Sequence, residues 1–403
     1  MNIFLRKNII VIILVSVLFL LLNLERNFNM SSDEGYYFGY TKIVAQNGFR
    51  SINQIIDWYA RGQNAQFHPA PARIGYLVCS SLLFKLFGEH IFLLGLLSMI
   101  SFILFIIVTF YFARKHYNLD LALILTFLLS SSPLLMGLSR RALIESQANL
   151  MVGLTVWLFL DFLIQKRRLN YILFIICFSW AILVKESTVL LWLFFFIFLL
   201  IDTYFFKQSL RWPYVVGIIL WPTLITGTAY LLTLGDAHHL IILIQSIFMT
   251  HLGPENTNYT IATQSGPWYR LLLDFFVLSP IVMILFFGYI IHTSITKRWD
   301  RKSVYFLTYF VVIYVLVGMH PFRKNIRFVV NLEMVICLLA SFVILEFLQV
   351  KKQNVQKLLA LLSLWLMNFY NFSQIFYFPG VVDPNIIYLL MFKNIIPWSY
   401  KVF

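Results

Sequence analysis

The chain alternates long apolar runs with short polar breaks, and the runs are too long and too uniform for the core of a soluble domain. About 20 apolar residues are needed to span the hydrocarbon core of a bilayer. On that measure the pattern predicts about 11 transmembrane helices, at 8–24, 91–113, 119–138, 146–164, 170–184, 187–206, 213–234, 268–291, 303–319, 327–348 and 357–372. Arg6 and Lys7 precede the first run, but no small-x-small cleavage site follows it, so the run reads as a retained anchor. The stretch 74–87 (IGYLVCSSLLFKLF) is too short to cross and reads as a helix lying at the interface. Two polar stretches are longer than the rest, a first outer loop over 25–90 and a second over 235–267. The expected fold is an all-α polytopic membrane protein, one membrane-embedded domain over 1–403 with no soluble C-terminal domain. No internal repeat of the kind that builds two related transporter halves is visible.

Composition agrees with the pattern. Of 403 residues 60% are hydrophobic, 18% aromatic and 12% charged, against about 25% charged in ordinary soluble chains. Cys79, Cys177 and Cys337 lie far apart, with neither metal-ligand spacing nor a disulfide framework. The formal charge is +14, which in a soluble protein would suggest nucleic acid but in a membrane protein is first sorted by side. With the N-terminus in the cytoplasm, the inner loops hold basic clusters such as Arg114-Lys115, Lys166-Arg167-Arg168, Lys297-Arg298 and Lys351-Lys352, as the positive-inside rule expects. No nucleic-acid partner is expected. The remaining Lys and Arg fall on the outer side beside Asp, Glu and aromatic residues, and the tail 373–403 also faces outward.

Those outer residues carry the candidate chemistry. Asp33 and Glu34 follow the first span by only about nine residues, which keeps them near the membrane surface. A carboxylate held there can act as general base toward an acceptor hydroxyl; alternatively the pair caps the helix that follows. Arg140 and Arg141 occupy a short outer turn, where arginine binds lipid phosphates or merely snorkels to them. Lys185-Glu186 reads as an ion network with Arg141 or Glu145, because charges near membrane depth are usually paired. His320-Pro321-Phe322-Arg323-Lys324-Asn325-Ile326-Arg327 crowds three cations on one outer turn, and guanidinium groups grip phosphate bidentately, so Arg323 and Arg327 are phosphate candidates. Tyr259, Trp268 and Tyr269 in the second outer loop suit stacking on sugar faces, although aromatic residues also mark interfaces. His238, His239 and His251 match no common metal spacing.

A span, an outer Asp-Glu followed by aromatic and small residues, then Gln66-Phe67-His68-Pro69-Ala70-Pro71-Ala72-Arg73 leading into an interfacial helix that ends Leu86-Phe87-Gly88-Glu89 resembles the opening of the GT-C glycosyltransferases. The likeness is to protein O-mannosyltransferases, the lipid A aminoarabinose transferase and related bacterial polyprenyl-phosphate-sugar transferases. It continues through Ser139–Glu145 and Leu183–Glu186 and covers roughly residues 1–210. The resemblance implies a GT-C fold and an inverting transfer of a hexosyl or pentosyl group from a polyprenyl-phosphate sugar to a glycan, lipid or protein acceptor. It implies Asp33 as base with Glu34 in support, and donor-phosphate binding by His68, Arg73, Arg141, Lys185, Arg323 and Arg327. The aminoarabinose transferase has Lys where this chain has His68. No cofactor is expected, a divalent metal included; a protein partner is allowed. The implied location is the plasma membrane of a bacterium, with the active site and the C-terminus outside. A transporter or flippase of lipid-linked sugars would need ionisable residues near the middle of several spans, whereas most charges here sit near span ends. A polysaccharide polymerase or ligase would lean on arginine-rich outer loops without the early Asp-Glu, and an envelope assembly subunit would use that pair only as a cap.

Overall fold

The computed structural model describes residues 1–22, 33–61, 69–252, 265–320, 324–350 and 353–377. The described residues form helices joined by short turns, with no strand among them. In chain order the first are α1 (Ile3–Phe19), α2 (Asp33–Asn47), α3 (Ile52–Arg61), α4 (Ile74–Phe87), α5 (Ile91–His116) and α6 (Leu119–Ser130). Then come α7 (Pro133–Ser139), α8 (Glu145–Gln165), α9 (Arg168–Val184), α10 (Leu191–Tyr204), α11 (Trp212–Leu234) and α12 (Ala237–Leu252). The last are α13 (Arg270–Leu278), α14 (Pro280–Thr296), α15 (Arg301–Gly318), α16 (Glu333–Val350) and α17 (Asn354–Phe372).

This is a multi-pass membrane protein. By length and composition seven described helices suffice to cross a bilayer, or eight when a bent pair is taken as one span. That pair is α6 and α7, bent by 61°. The cause is local: Pro133 opens α7 and cannot continue the α6 ladder, while the Ser131 hydroxyl donates to the Phe127 carbonyl at 2.9 Å, a back-bond that bends helices. Helix α1 and the apolar helices α9 and α14 have 17 residues each, at the short limit for crossing. The expected span 268–291 is broken between α13 and α14 at Ser279, which leaves helical geometry (φ −143°) because the residue before a proline disfavours it. The expected loop 235–267 contains α12, which includes the apolar run Leu240-Ile241-Ile242-Leu243-Ile244.

The chain divides into two compact units. One comprises Met1–Leu21, Phe110–Gly137 and Glu255–Phe403. In it α6 packs against α1 and α16, and α14 against α16. The Trp365 indole donates to the Ser16 hydroxyl at 2.9 Å, tying α17 to α1.

The other unit comprises Leu22–Thr109 and Leu138–Pro254. Its centre is an aromatic cluster in which the rings of Phe159, Phe174 and Phe195 lie 4.5–5.1 Å apart between α8, α9 and α10. On this base α4 packs against α9, and α2 packs against α4. Gly75 makes the first contact possible: a Cβ there would sit 3.0 Å from the Leu183 carbonyl carbon and the Val184 nitrogen. Between α2 and α4 the Thr41 and Ser80 hydroxyls share a hydrogen bond of 2.9 Å. The amphipathic α3 turns Ile52, Ile55, Ile56 and Tyr59 inward and docks on α12, where Asp57 lies 3.5 Å from the His239 ring and Asp236 lies 2.8 Å from its other nitrogen.

Candidate functional site

Asp33 and Glu34 are the first two residues of α2, where the helix dipole favours negative side chains. Neighbours on a helix point about 100° apart, and the structure uses that divergence. Glu34 is fully buried. Its Oε1 accepts from Arg141 Nε at 2.8 Å and from the Ala142 backbone N–H at 2.9 Å, and its Oε2 accepts from the second Arg141 nitrogen at 3.0 Å. Asp33 is half-buried, and its charge acts on Arg73 and on Tyr40.

The segment before α4 is pinned from both sides. The Tyr40 hydroxyl donates to the Pro69 carbonyl at 3.2 Å, and the Tyr230 hydroxyl donates to the Ala72 carbonyl at 2.6 Å. Arg73 follows directly and donates from Nε and a terminal nitrogen to the two oxygens of Glu186, both at 3.2 Å. Its guanidinium also lies 5.5 Å from the centre of the Tyr37 ring. Burial opposes the charge on Arg73, but Glu186, supported by Glu145 and Asp33, more than offsets it and raises its pKa. Glu186 therefore pairs with Arg73, whereas the sequence reading placed Lys185-Glu186 with Arg141 or Glu145, and Arg141 pairs with Glu34. The close approach of α4 to the end of α9 at Gly75 brings Arg73 to Glu186, while Arg141 is already taken by Glu34. Lys185, beside Glu186, is buried.

Asp33, Glu34, Arg73, Arg141 and Lys185 thus belong to one unit, three of them in two ion pairs and Asp33 and Lys185 next to those pairs in the chain. Arg327, Trp268 and Tyr269 belong to the other. Arg327 is half-buried in the 3₁₀ turn Ile326–Leu332, and Trp268 and Tyr269 are exposed with ring centres 5.8 Å apart. His68, Arg323 and Tyr259 lie outside the described residues. Near Trp268 the structure adds two residues that the sequence pattern assigned no part. Lys324 donates to the Gly266 carbonyl and Arg270 to the Ser265 carbonyl, and both side chains are buried. Burial and the charge of Arg270 push the Lys324 pKa down. Gly266 has φ +153°, and a Cβ on it would meet Arg270 Cδ at 2.8 Å, so glycine leaves the Arg270 side chain room against this segment. Arg270 escaped notice because it sits inside an apolar run, and Lys324 because the neighbouring arginines are better phosphate ligands. Among the described residues no group of three His, Cys, Asp or Glu side chains could hold a metal ion.

Comparison with known proteins fits this arrangement. Residues 72–227, which include Arg73, Arg141, Lys185 and Glu186, match the dolichyl-phosphate-mannose-protein mannosyltransferase family. ArnT from Cupriavidus metallidurans in the apo state superposes with a TM-score of 0.63 at 13% identity, covering 95% of this chain and 75% of that one. The fold is that of the GT-C glycosyltransferases. ArnT bound to undecaprenyl phosphate gives a TM-score of 0.60 at 16% identity, covering 84% of this chain and 60% of that one. A GT-C oligosaccharyltransferase from Archaeoglobus fulgidus, tethered to an acceptor peptide containing the NVT sequon, gives 0.58 at 10% identity, covering 94% of this chain and 55% of that one. The chain therefore spans little more than half the length of two of these GT-C proteins. No curated protein sequence matches it.

Proposed function

We propose that this chain is an inverting glycosyltransferase that moves a hexosyl or pentosyl group from a polyprenyl-phosphate donor to an acceptor hydroxyl of a glycan, lipid or protein. Asp33 is the general base. The acceptor oxygen attacks the anomeric carbon on the face opposite the phosphate, its proton passes to Asp33, and the bond from that carbon to the phosphate oxygen breaks. The lipid phosphate leaves as an anion. The observation that carries this reading is the division of labour at the start of α2: Glu34 is consumed by Arg141 and Ala142, while half-buried Asp33 stands on the next helical position.

The donor phosphate is held by cations that bind it more strongly as charge develops. Arg73, Arg141 and Lys185 serve from one unit, with His68. Arg323 and Arg327, in the other unit, are proposed as anion ligands in their own right; in that unit burial and the charge of Arg270 push the Lys324 pKa down, so an anion there would favour its charged form. Tyr259, Trp268 and Tyr269 offer rings to a sugar or acceptor. The reaction requires no resident metal. The location is a bacterial plasma membrane, with the N-terminus inside and the chemistry and C-terminus outside.

The test is sugar transfer by the purified chain from undecaprenyl-phosphate sugars, assayed with Asp33→Asn and Asp33→Glu. Loss of a positioned base lowers rate by roughly 10²–10⁴-fold, so Asp33→Asn is expected to fall at least 100-fold with its unfolding temperature unchanged. Full transfer by Asp33→Asn overturns the assignment.

A further inference from the structure

In the unit that contains Phe110–Gly137 and Glu255–Phe403, two basic turns are held against each other. One ends α5 and reads Arg114-Lys115-His116-Tyr117; the other runs from the end of α14 into α15 and reads Lys297-Arg298-Trp299-Asp300-Arg301-Lys302. The Lys302 ammonium donates to the His116 carbonyl and lies 4.8 Å from the centre of the Tyr117 ring, which ties the start of α15 to the end of α5. Six Lys and Arg side chains therefore share two neighbouring turns. Arg114, Lys115, Lys297 and Arg298 are exposed. The acid among them, Asp300, caps α15, its oxygens accepting from the Ser303 and Lys302 backbone N–H groups at 3.3 and 3.2 Å. The glycosyl-transfer reading has no use for these cations. Helix α15 is 18 residues long, about 27 Å at 1.5 Å per residue, and Lys324 follows its far end.

The aromatic side chains beside the cations mark their depth. The Tyr289 and Ser303 hydroxyls share a hydrogen bond of 2.7 Å. The Tyr289 ring lies 6.5 Å from the Trp299 ring and 5.2 Å from that of Phe342 on α16, which lies 5.3 Å from the Tyr117 ring. Tyr117, Tyr289 and Trp299 thus form one layer at the ends of α5, α14 and α15. Tyr and Trp collect at the headgroup level of a bilayer, so the exposed cations next to this layer stand where lipid phosphates are. A phosphodiester between the two turns accepts from several cationic donors at once and relieves the repulsion among them. A lipid headgroup reaches this depth from within the bilayer, which favours it over an acidic protein arriving from solution.

We propose that the turns at 114–117 and 297–302 form a binding site for the headgroup of an anionic phospholipid, in the leaflet away from Lys324. The site is separate from glycosyl transfer and does not depend on it.

The test is native mass spectrometry of the full chain in detergent with added phosphatidylglycerol or phosphatidylcholine. It compares wild type with Arg114→Gln/Arg298→Gln, with the charge-preserving Arg114→Lys/Arg298→Lys, and with the control Arg167→Gln/Arg168→Gln, whose exposed cations come from a single turn of the other unit. Each Lys or Arg near an anionic lipid surface is worth about 5-fold in affinity, so the loss of two lowers it about 25-fold. Wild type is expected to prefer phosphatidylglycerol by about that factor. Arg114→Gln/Arg298→Gln loses the preference, while Arg114→Lys/Arg298→Lys and the control keep it. In unmutated protein, hydrogen exchange over 112–118 and 297–303 slows with phosphatidylglycerol and not with phosphatidylcholine, a readout independent of how the variants fold.

Absence of a preference in wild type, or its survival in Arg114→Gln/Arg298→Gln, overturns the site. An equal loss in the control shows that net charge alone attracts the lipid and overturns it as well. Displacement of phosphatidylglycerol by millimolar glycerol 3-phosphate overturns the lipid assignment in favour of a soluble phosphate ester. Each of these outcomes leaves Asp33 and the transferase reading untouched.

Discussion

Glu34 and Arg141 stand 107 residues apart in the chain, yet they make two hydrogen bonds of 2.8 and 3.0 Å with almost no exposure to solvent. A buried charge that loses its partner is costly, because its desolvation is no longer offset. Glu34→Ala is therefore expected to destabilise the protein by about 3–5 kcal/mol, seen as a large drop in the unfolding temperature in detergent. Asp33→Asn, at the adjacent position, is expected to leave that temperature unchanged while removing activity. A variant Glu34→Ala as stable as wild type would show that the pair is dispensable and that Glu34 belongs with the chemistry. The Asp-Glu pair itself was legible from the sequence, as two adjacent carboxylates a short way beyond the first apolar run. Which of the two is taken up by an ion pair was not legible, because that depends on Arg141, a partner 107 residues away.

At the level of elements, the placement of α4 on α9 decides where Arg73 points. Gly75 is the contact: its Cβ position lies 3.0 Å from the backbone of Leu183 and Val184, tighter than backbone atoms can readily yield. Forcing extra volume into a packed contact costs about 1–3 kcal/mol. Gly75→Ala is expected to lose that much stability and to weaken the Arg73–Glu186 pair, so hydrogen exchange at 73–78 and 185–188 should rise together. Protection left unchanged in both segments would mean that α4 and α9 can separate without disturbing the pair. The helix over 74–87 was readable from its apolar character. Helix α12 was not, because the His, Asn, Thr and Gly of 235–267 read as loop; nor was the break at Ser279, which divides an otherwise continuous apolar run.

For the whole molecule the testable property is orientation. Basic clusters in short loops direct those loops to the cytoplasm. In a chain whose Cys79, Cys177 and Cys337 are replaced, Arg61→Cys should react with a membrane-impermeant maleimide in intact cells, after removal of any outer membrane. Arg211→Cys and Arg298→Cys should react only after lysis. All three positions are exposed, so accessibility is decided by side alone. Labelling of Arg298→Cys in intact cells would invert the topology and move Asp33 to the cytoplasmic face.

Membrane residence, most of the helical segments and the early carboxylate pair were determined by the sequence alone, because apolar run length and charge distribution are local properties that any stretch of chain displays. The tertiary structure decided the rest. It joined Glu34 to Arg141 and, across 113 residues, Arg73 to Glu186. It also set Lys324 beside Arg270. Each of those facts depends on which helices meet and how closely, and a contact such as Gly75 against α9 is visible only once both helices are packed.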